Sequence, residues 1–283
     1  MTNLSDIKNI LKSGQLAPSK QRGQNFLVNH QTAEAIVANA GVTGDDTIVE
    51  LGVGLGSLTL PLAAKAKHVI GIEVDKGIIT WHEEKNILPA NVTLIHQDLL
   101  KSDFRELAKR AGGRLKIIAN LPYSISNPLI FKLLENREIM EYAVLMLQKE
   151  VGQRLQANPG SKTYGVLSVL LGAYAATEII MNVGPGQFHP RPKVDSVVTK
   201  ITFKPTPNRV KELPAHDFTL LKNLVNASFQ QRRKTLFNSL SSSNIPGTAK
   251  ANLAVVLEKA GISPKIRPER LSVEDFVRLT NTI

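Results

Sequence analysis

Short apolar runs recur between residue 47 and about residue 150: TIVELGV, HVIGIEV, VTLIHQD, KIIANLP and YAVLMLQ. Each is rich in Ile and Val and nearly continuous in apolar character, the pattern of a strand covered on both faces in a parallel sheet. Helix-patterned stretches such as SLTLPLAAKA and NPLIFKLLENRE separate them. This alternation predicts an α/β fold with a doubly wound sheet. TEIIMNVGPGQF and SVVTKITFKP follow with little room for a crossover helix, so a closing antiparallel pair is expected.

The pattern changes after KPTPNRVKELP, residues 204–214, whose three prolines read as a linker. DFTLLKNLVNASF, RKTLFNSLSSS, TAKANLAVVLEKAG and SVEDFVRLTNTI then predict four short amphipathic helices. Gly261 supplies a helix stop, and Ser272 with Asp275 a capping box. Residues 206–283 hold 12 Lys+Arg against 6 Asp+Glu, which is +6 of the net +11 of the chain. A basic helical module of this kind points to a polyanionic partner. The domains expected are 1–205, with an N-terminal arm over about 1–46, and a small all-α domain over 206–283.

The absence of cysteine excludes disulfides, thiolate zinc sites and a Cys nucleophile, and no metal is expected. No apolar run reaches ~18 residues, so no membrane span is expected. The N-terminal MTNLSDIKNILKSGQ lacks an apolar signal core, which predicts a cytoplasmic protein.

VELGVGLGSLT, residues 49–59, links the first predicted strand to the first helix. Gly52, Gly54 and Gly56 permit a tight turn and close backbone approach to a ligand. A dinucleotide loop, Gly-x-Gly-x-x-Gly, asks for its third glycine at Ser57. Glycines in alternation instead resemble the loop of S-adenosylmethionine-dependent methyltransferases. Glu73 ends the second strand, where a carboxylate can accept the ribose hydroxyls of a nucleoside, and Asp98 ends the third, where it can accept from an adenine amine. Either acid could instead cap a helix.

The fourth strand delivers Asn120-Leu121-Pro122-Tyr123 to the same edge. An exocyclic adenine amine is a poor nucleophile because its lone pair is delocalised into the ring. The Asn120 side-chain oxygen and the Leu121 carbonyl can accept its hydrogens and return electron density to nitrogen. Pro122 fixes the turn, which preorganises both acceptors, and Tyr123 offers a face on which an extruded base can stack. An ordinary Asn-Pro turn is the bland alternative. The tetrapeptide fits the Asn-Pro-Pro-Tyr class of methyltransferases acting on amines attached to planar systems.

Together these segments resemble the small-subunit ribosomal RNA adenine dimethyltransferases of the KsgA/RsmA type, from about residue 19 to the end. SKQRGQNFLVN, IEVD, HQDLL, ANLPYSIS, LMLQKEVGQRL, FHPRPKVDSVV and SFQQRRKTLFNSL carry the likeness. The resemblance implies a Rossmann-like domain that binds S-adenosylmethionine, with Asn25 and Leu27 closing over the cofactor. In FHPRPKVDSVV, Phe188 could stack on the base opposite Tyr123. In QQRRKT, Arg232, Arg233 and Lys234 at a helix start could grip RNA phosphates. The resemblance also implies dimethylation of two adjacent adenosines near the 3′ end of 16S rRNA, within an immature 30S particle. A monomer is expected. The rivals are a large-subunit rRNA adenine dimethyltransferase conferring antibiotic resistance, a nicotinamide-dependent oxidoreductase and a non-catalytic assembly factor.

Overall fold

The computed structural model describes residues 24–120, 122–203, 213–231 and 233–283. The arm through residue 23, most of the linker, Leu121 and Arg232 lie outside the described residues. The elements in chain order are β1 (Phe26–Leu27), α1 (His30–Ala40), β2 (Thr47–Leu51), α2 (Thr59–Lys65), β3 (His68–Glu73), α3 (Lys76–Lys85), β4 (Val92–His96), α4 (Phe104–Ala111) and β5 (Leu115–Asn120). They continue with α5 (Ser126–Glu135), β6 (Met140–Gln148), α6 (Lys149–Leu155), α7 (Val166–Tyr174), β7 (Ala176–Val183), β8 (Phe188–His189) and β9 (Ser196–Thr202). The C-terminal helices are α8 (Phe218–Phe229), α9 (Leu236–Leu240), α10 (Lys250–Lys259) and α11 (Val273–Thr282).

The larger sheet has the order β4-β3-β2-β5-β6-β9-β7. Strands β2 to β6 pair in parallel, and β9 closes antiparallel on β6, with Gln148 opposite Ser196. Burial follows position in the sheet. Central β6 is buried over almost its whole length, whereas edge strand β4 is only partly covered. The nearly continuous apolar sequence of the central strands is what covers both of their faces. Asn29, Asp75 and Asp103 cap α1, α3 and α4 by accepting backbone N–H groups, which starts each helix just beyond a strand or turn.

Of the described residues, 24–152 together with those from Glu178 to the end of the sheet form one unit; Gln153–Thr177 joins those from 213 onward in the other. Helix α7 thus belongs with the C-terminal helices, although the boundary expected at 205/206 groups it with the sheet. Its apolar sequence VLSVLLGAY is buried at Leu167, Val169, Leu170, Leu171 and Ala173, more than a helix on an open face would bury. Within this helical unit the buried Tyr164 hydroxyl donates to the Leu271 carbonyl at 2.9 Å. Phe229 sits between the rings of Tyr164 and Phe276. Ser272 and Asp275 form the expected capping box on α11, and Gly261 follows α10 at φ +65°.

At the N-terminal edge of the sheet, buried Asp46 accepts from the Thr43 amide at 2.7 Å and from Lys116 Nζ on β5. Lys116 also lies 3.4 Å from Glu141 on β6, so one ammonium ties the entry to β2 to both β5 and β6. Burial works to raise the Asp46 carboxyl, but the bonds from Lys116 and Thr43 outweigh it and hold it below its ordinary value. Its folded value lies under the unfolded one of about 3.9, so its contribution is present above about pH 4 and fades as pH falls through the folded value. Asp46→Asn should therefore cost about 1.5–3 kcal/mol near neutral pH. Urea unfolding of both proteins across a pH series should show the gap closing in acid; a constant gap would mean the charge is not responsible.

Candidate active site

The C-terminal ends of β2, β3, β4 and β5 surround a cavity of about 330 Å³. Strand order sets the sequence of its wall: Asp98 beyond β4, Glu73 on β3, Glu50 and the glycine turn on β2, then Asn120 on β5. Open α/β sheets bind ligands at this edge because helix N-termini and strand ends present their free polar groups there. Residues Gln24–Leu27 close another side. They are held by β1, which pairs with β8 so that Leu27 faces Phe188, and by Ser57, whose hydroxyl donates to the Leu27 carbonyl at 2.7 Å.

Gly54 is clamped through both of its peptide groups. Its N–H donates to Glu73 Oε2 at 2.9 Å, while its carbonyl lies 2.8 Å from His82 Nε2. A carbonyl only accepts, so Nε2 carries the proton. Burial lowers the pKa of His82, with the bond to Gly54 acting in the opposite direction, so the ring is neutral near pH 7. Gly54 has φ +54°, and a Cβ there would meet the Phe26 ring at 3.4 Å. Gly52 and Gly54 line the cavity; Gly56 does not. Gly56 has φ +81°, with the His82 ring 3.4 Å from where its Cβ would sit.

Glu73 Oε1 accepts the Val74 and Asp75 N–H groups at 2.9 Å each, leaving limited acceptor capacity toward the cavity. Asp98 combines two readings: Oδ1 accepts the Leu100 N–H at 2.9 Å, and the residue also lines the cavity. Asn120 Nδ2 donates to the Asn25 carbonyl at 3.3 Å. That acceptor can face only the amino end of the amide, so Oδ1 is turned away from Asn25. Pro122, with φ −55°, lines the cavity beside it.

The two aromatic residues are placed differently from expectation. Tyr123 is half-buried outside the cavity wall, its hydroxyl 2.7 Å from Ser196 Oγ. Burial raises its pKa, with the Ser196 bond acting the other way. Phe188 is only 3% exposed and packs in the apolar cluster with Leu27 and Val183. In this arrangement the Phe188 ring is buried, on the strand that pairs with β1. In the helical unit, Arg233 and Lys234 are exposed in the turn ahead of α9, whose N-cap is Thr235, rather than on the helix itself.

The cavity wall carries three carboxyl groups, Glu50, Glu73 and Asp98, and no Lys, Arg or His among its described lining residues. Such a wall suits a cationic ligand and opposes a pyrophosphate. Glu50 is 1% exposed, and burial, reinforced by the neighbouring Glu73 charge and opposed by Thr59, pushes its pKa up to about 8. Sequence reasoning assigned no role to Glu50, His82 or Ser57. A lone acid inside the apolar run TIVELGV was the available signal for Glu50; nothing local marked the other two, which act across sequence gaps.

The chain matches the family described as Ribosomal RNA adenine dimethylase over residues 17–283. It is 52% identical over 287 residues to Ribosomal RNA small subunit methyltransferase A of Desulfotalea psychrophila, covering 99% of this chain and 96% of that protein. The protein of the same name from Clostridium botulinum (strain ATCC 19397 / Type A) is 42% identical over 277 residues, covering 98% of each. Among solved structures, a dimethyladenosine transferase from Plasmodium falciparum is similar with a TM-score of 0.69 at 27% identity, covering 89% of this chain and 94% of that one. The 23S rRNA methyltransferase ErmE shares the fold with a TM-score of 0.65 at 22% identity, covering 91% and 99%.

Glu73→Ala should remove both the clamp on Gly54 and an acceptor in the cavity. Nucleoside-ligand affinity is expected to fall roughly 10–150-fold, about 1.5–3 kcal/mol. Calorimetry of the purified variant measures this, and unchanged affinity would place the ribose away from Glu73.

Proposed function

This chain belongs to the ribosomal RNA adenine dimethylase family, and from that membership we propose that it transfers methyl groups from S-adenosylmethionine to the exocyclic amines of two adjacent adenosines near the 3′ end of 16S rRNA. Its substrate is the rRNA of an immature small subunit, on which it acts as a cytoplasmic monomer. The observation that carries this reading is the pairing of Asn120 with an acidic cavity that has no cation among its described lining residues. S-adenosylmethionine supplies a methyl group on a positively charged sulfur. Glu73 and Asp98 in that wall favour that charge, and the positive-φ glycine turn lets backbone approach the ligand.

Asn120 acts through orientation. Its amino end is held by Asn25, which leaves Oδ1 to accept a hydrogen from the substrate amine. Accepting that hydrogen pushes electron density back onto the amine nitrogen, and a preorganised acceptor does so without reorganisation cost. When bound, S-adenosylmethionine would supply the methyl group and keep the bonding pair of its carbon–sulfur bond, and the methylated nitrogen would lose its surplus proton to solvent. The Leu121 carbonyl, outside the described residues, is the proposed second acceptor. Tyr123, held by Ser196, bears on the base from outside the cavity wall. Arg232, Arg233 and Lys234 bind RNA phosphates.

The relatives named for the small subunit, at 52% and 42% identity, support this target over the large subunit. Mass spectrometry of undermethylated small subunits incubated with the protein and labelled S-adenosylmethionine should find dimethyladenosine at two neighbouring positions. Methyl incorporation into naked large-subunit RNA alone would overturn the assignment. Asn120→Ala should lower methyl transfer about 10²–10³-fold, the scale of losing one preorganised polar group, with a much smaller change in cofactor affinity. Unaltered turnover would remove Asn120 from the chemistry. Neutralising Arg232, Arg233 and Lys234 should reduce the log–log salt slope of RNA binding by about 0.7–0.9 for each phosphate they neutralise. A slope that stays put would move the RNA footprint elsewhere.

A further inference from the structure

The turn after β4 forms one side of the cavity, with Asp98, Leu99 and Leu100 all in its wall. Leu100 also lines a second cavity of about 480 Å³, together with Phe104, Phe131 and Lys132. A wall residue that borders two cavities has less packing to hold it, so its position needs another brace. Hydrogen bonds within the turn set its shape. Asp98 Oδ1 accepts the Leu100 N–H at 2.9 Å. The Asp98 carbonyl accepts from the Lys101 N–H at 2.9 Å and from the Ser102 hydroxyl at 3.0 Å. These three bonds are internal and tie the turn to no other element. Lys132 on α5 reaches it from outside, donating from Nζ to the Leu100 carbonyl at 2.7 Å.

Helix α5 is suited to carry that brace. Leu129, Ile130, Leu133 and Leu134 bury its inner face, and Ser124 and Ile125, just ahead of it, line the first cavity. The Lys132 ammonium also lies 4.9 Å from the centroid of the buried Phe104 ring, at the start of α4. Burial lowers the Lys132 pKa, and the charges of Asp98, Asp103 and Glu135 act in the opposite direction. An ammonium donating to a carbonyl makes a stronger bond than a neutral donor would. We propose, on the cofactor reading above, that Lys132 is a positioning residue: by holding the Leu100 carbonyl, it keeps the Asp98 carboxyl where it accepts from the cofactor's adenine amine. The helix that follows Asn120 and Tyr123 thereby also sets the adenine end of the cofactor. One rigid element then fixes the distance between the two.

S-adenosylhomocysteine and its analogue with purine in place of adenine differ only in the 6-amino group, so their affinity ratio reads the Asp98 contact. Calorimetry with the unaltered protein should favour S-adenosylhomocysteine about tenfold or more. Lys132→Met keeps an unbranched apolar stem but has no donor. It should weaken S-adenosylhomocysteine about five- to tenfold and the purine analogue by less than about twofold, so that the ratio shrinks. Lys132→Arg, which can donate to the same carbonyl, should restore most of the ratio. A merely structural role would weaken both ligands alike or neither, so an unchanged ratio in Lys132→Met would overturn the inference. No preference by the unaltered protein would overturn the placing of the adenine amine at Asp98, and the inference with it. Failure of both ligands to bind the unaltered protein would overturn the cofactor reading itself. Should Lys132→Met not fold, Lys132→Gln, shorter and still polar, decides by the same ratio.

Discussion

The Glu73 carboxylate holds the Gly54 amide from one side while its other oxygen holds the Val74 and Asp75 amides. Three structural events meet at that group: the end of β3, the start of α3 and the shape of the glycine turn after β2. Without an acceptor there, the Gly54 N–H would lose its partner, and the turn would lose its fixed distance from β3. His82 completes the restraint from the next helix by binding the Gly54 carbonyl. The cavity takes its form from a peptide gripped at both ends rather than from the glycines alone.

A similar restraint places the proposed catalytic amide. Asn120 is at the end of a central strand, but strand position alone leaves its side chain free to rotate by half a turn. The Asn25 carbonyl removes that freedom. Asn25 is followed by a two-residue strand paired with Phe188 and His189, and Leu27 and Phe188 of that pair are buried in one apolar cluster. Burial of Phe188 thus supports the site through packing, by way of β1 and Asn25, without reaching the cavity itself.

Placing Glu50, Glu73 and Asp98 in one cavity with no cation among its described lining residues is unfavourable for an empty protein and favourable for a cationic ligand. The fold spreads the acids over three adjacent strands, so their repulsion is partly relieved by distance and by backbone N–H groups on two of them. Glu50 Oε2 has no such donor among the described residues, and Glu50 is the one whose neutral form burial favours.

Periodicity by itself determined the strands, because a strand buried on both faces must be apolar nearly throughout, and TIVELGV or YAVLMLQ can be little else. It also determined the four helices after the linker, the capping box at Ser272 and the edge of the sheet where Glu73, Asp98 and Asn120 gather. What only the tertiary structure decided were relations between distant segments. Gly56 packs near His82, Phe188 is buried on the strand that pairs with β1, and Tyr123 is tied to Ser196. Helix α7 joins the C-terminal unit, because an evenly apolar helix needs cover that the local sequence does not name. Residue type and spacing reveal which groups reach an edge; the partners that orient them come from pairings across 19 to 95 residues, to which local pattern is blind.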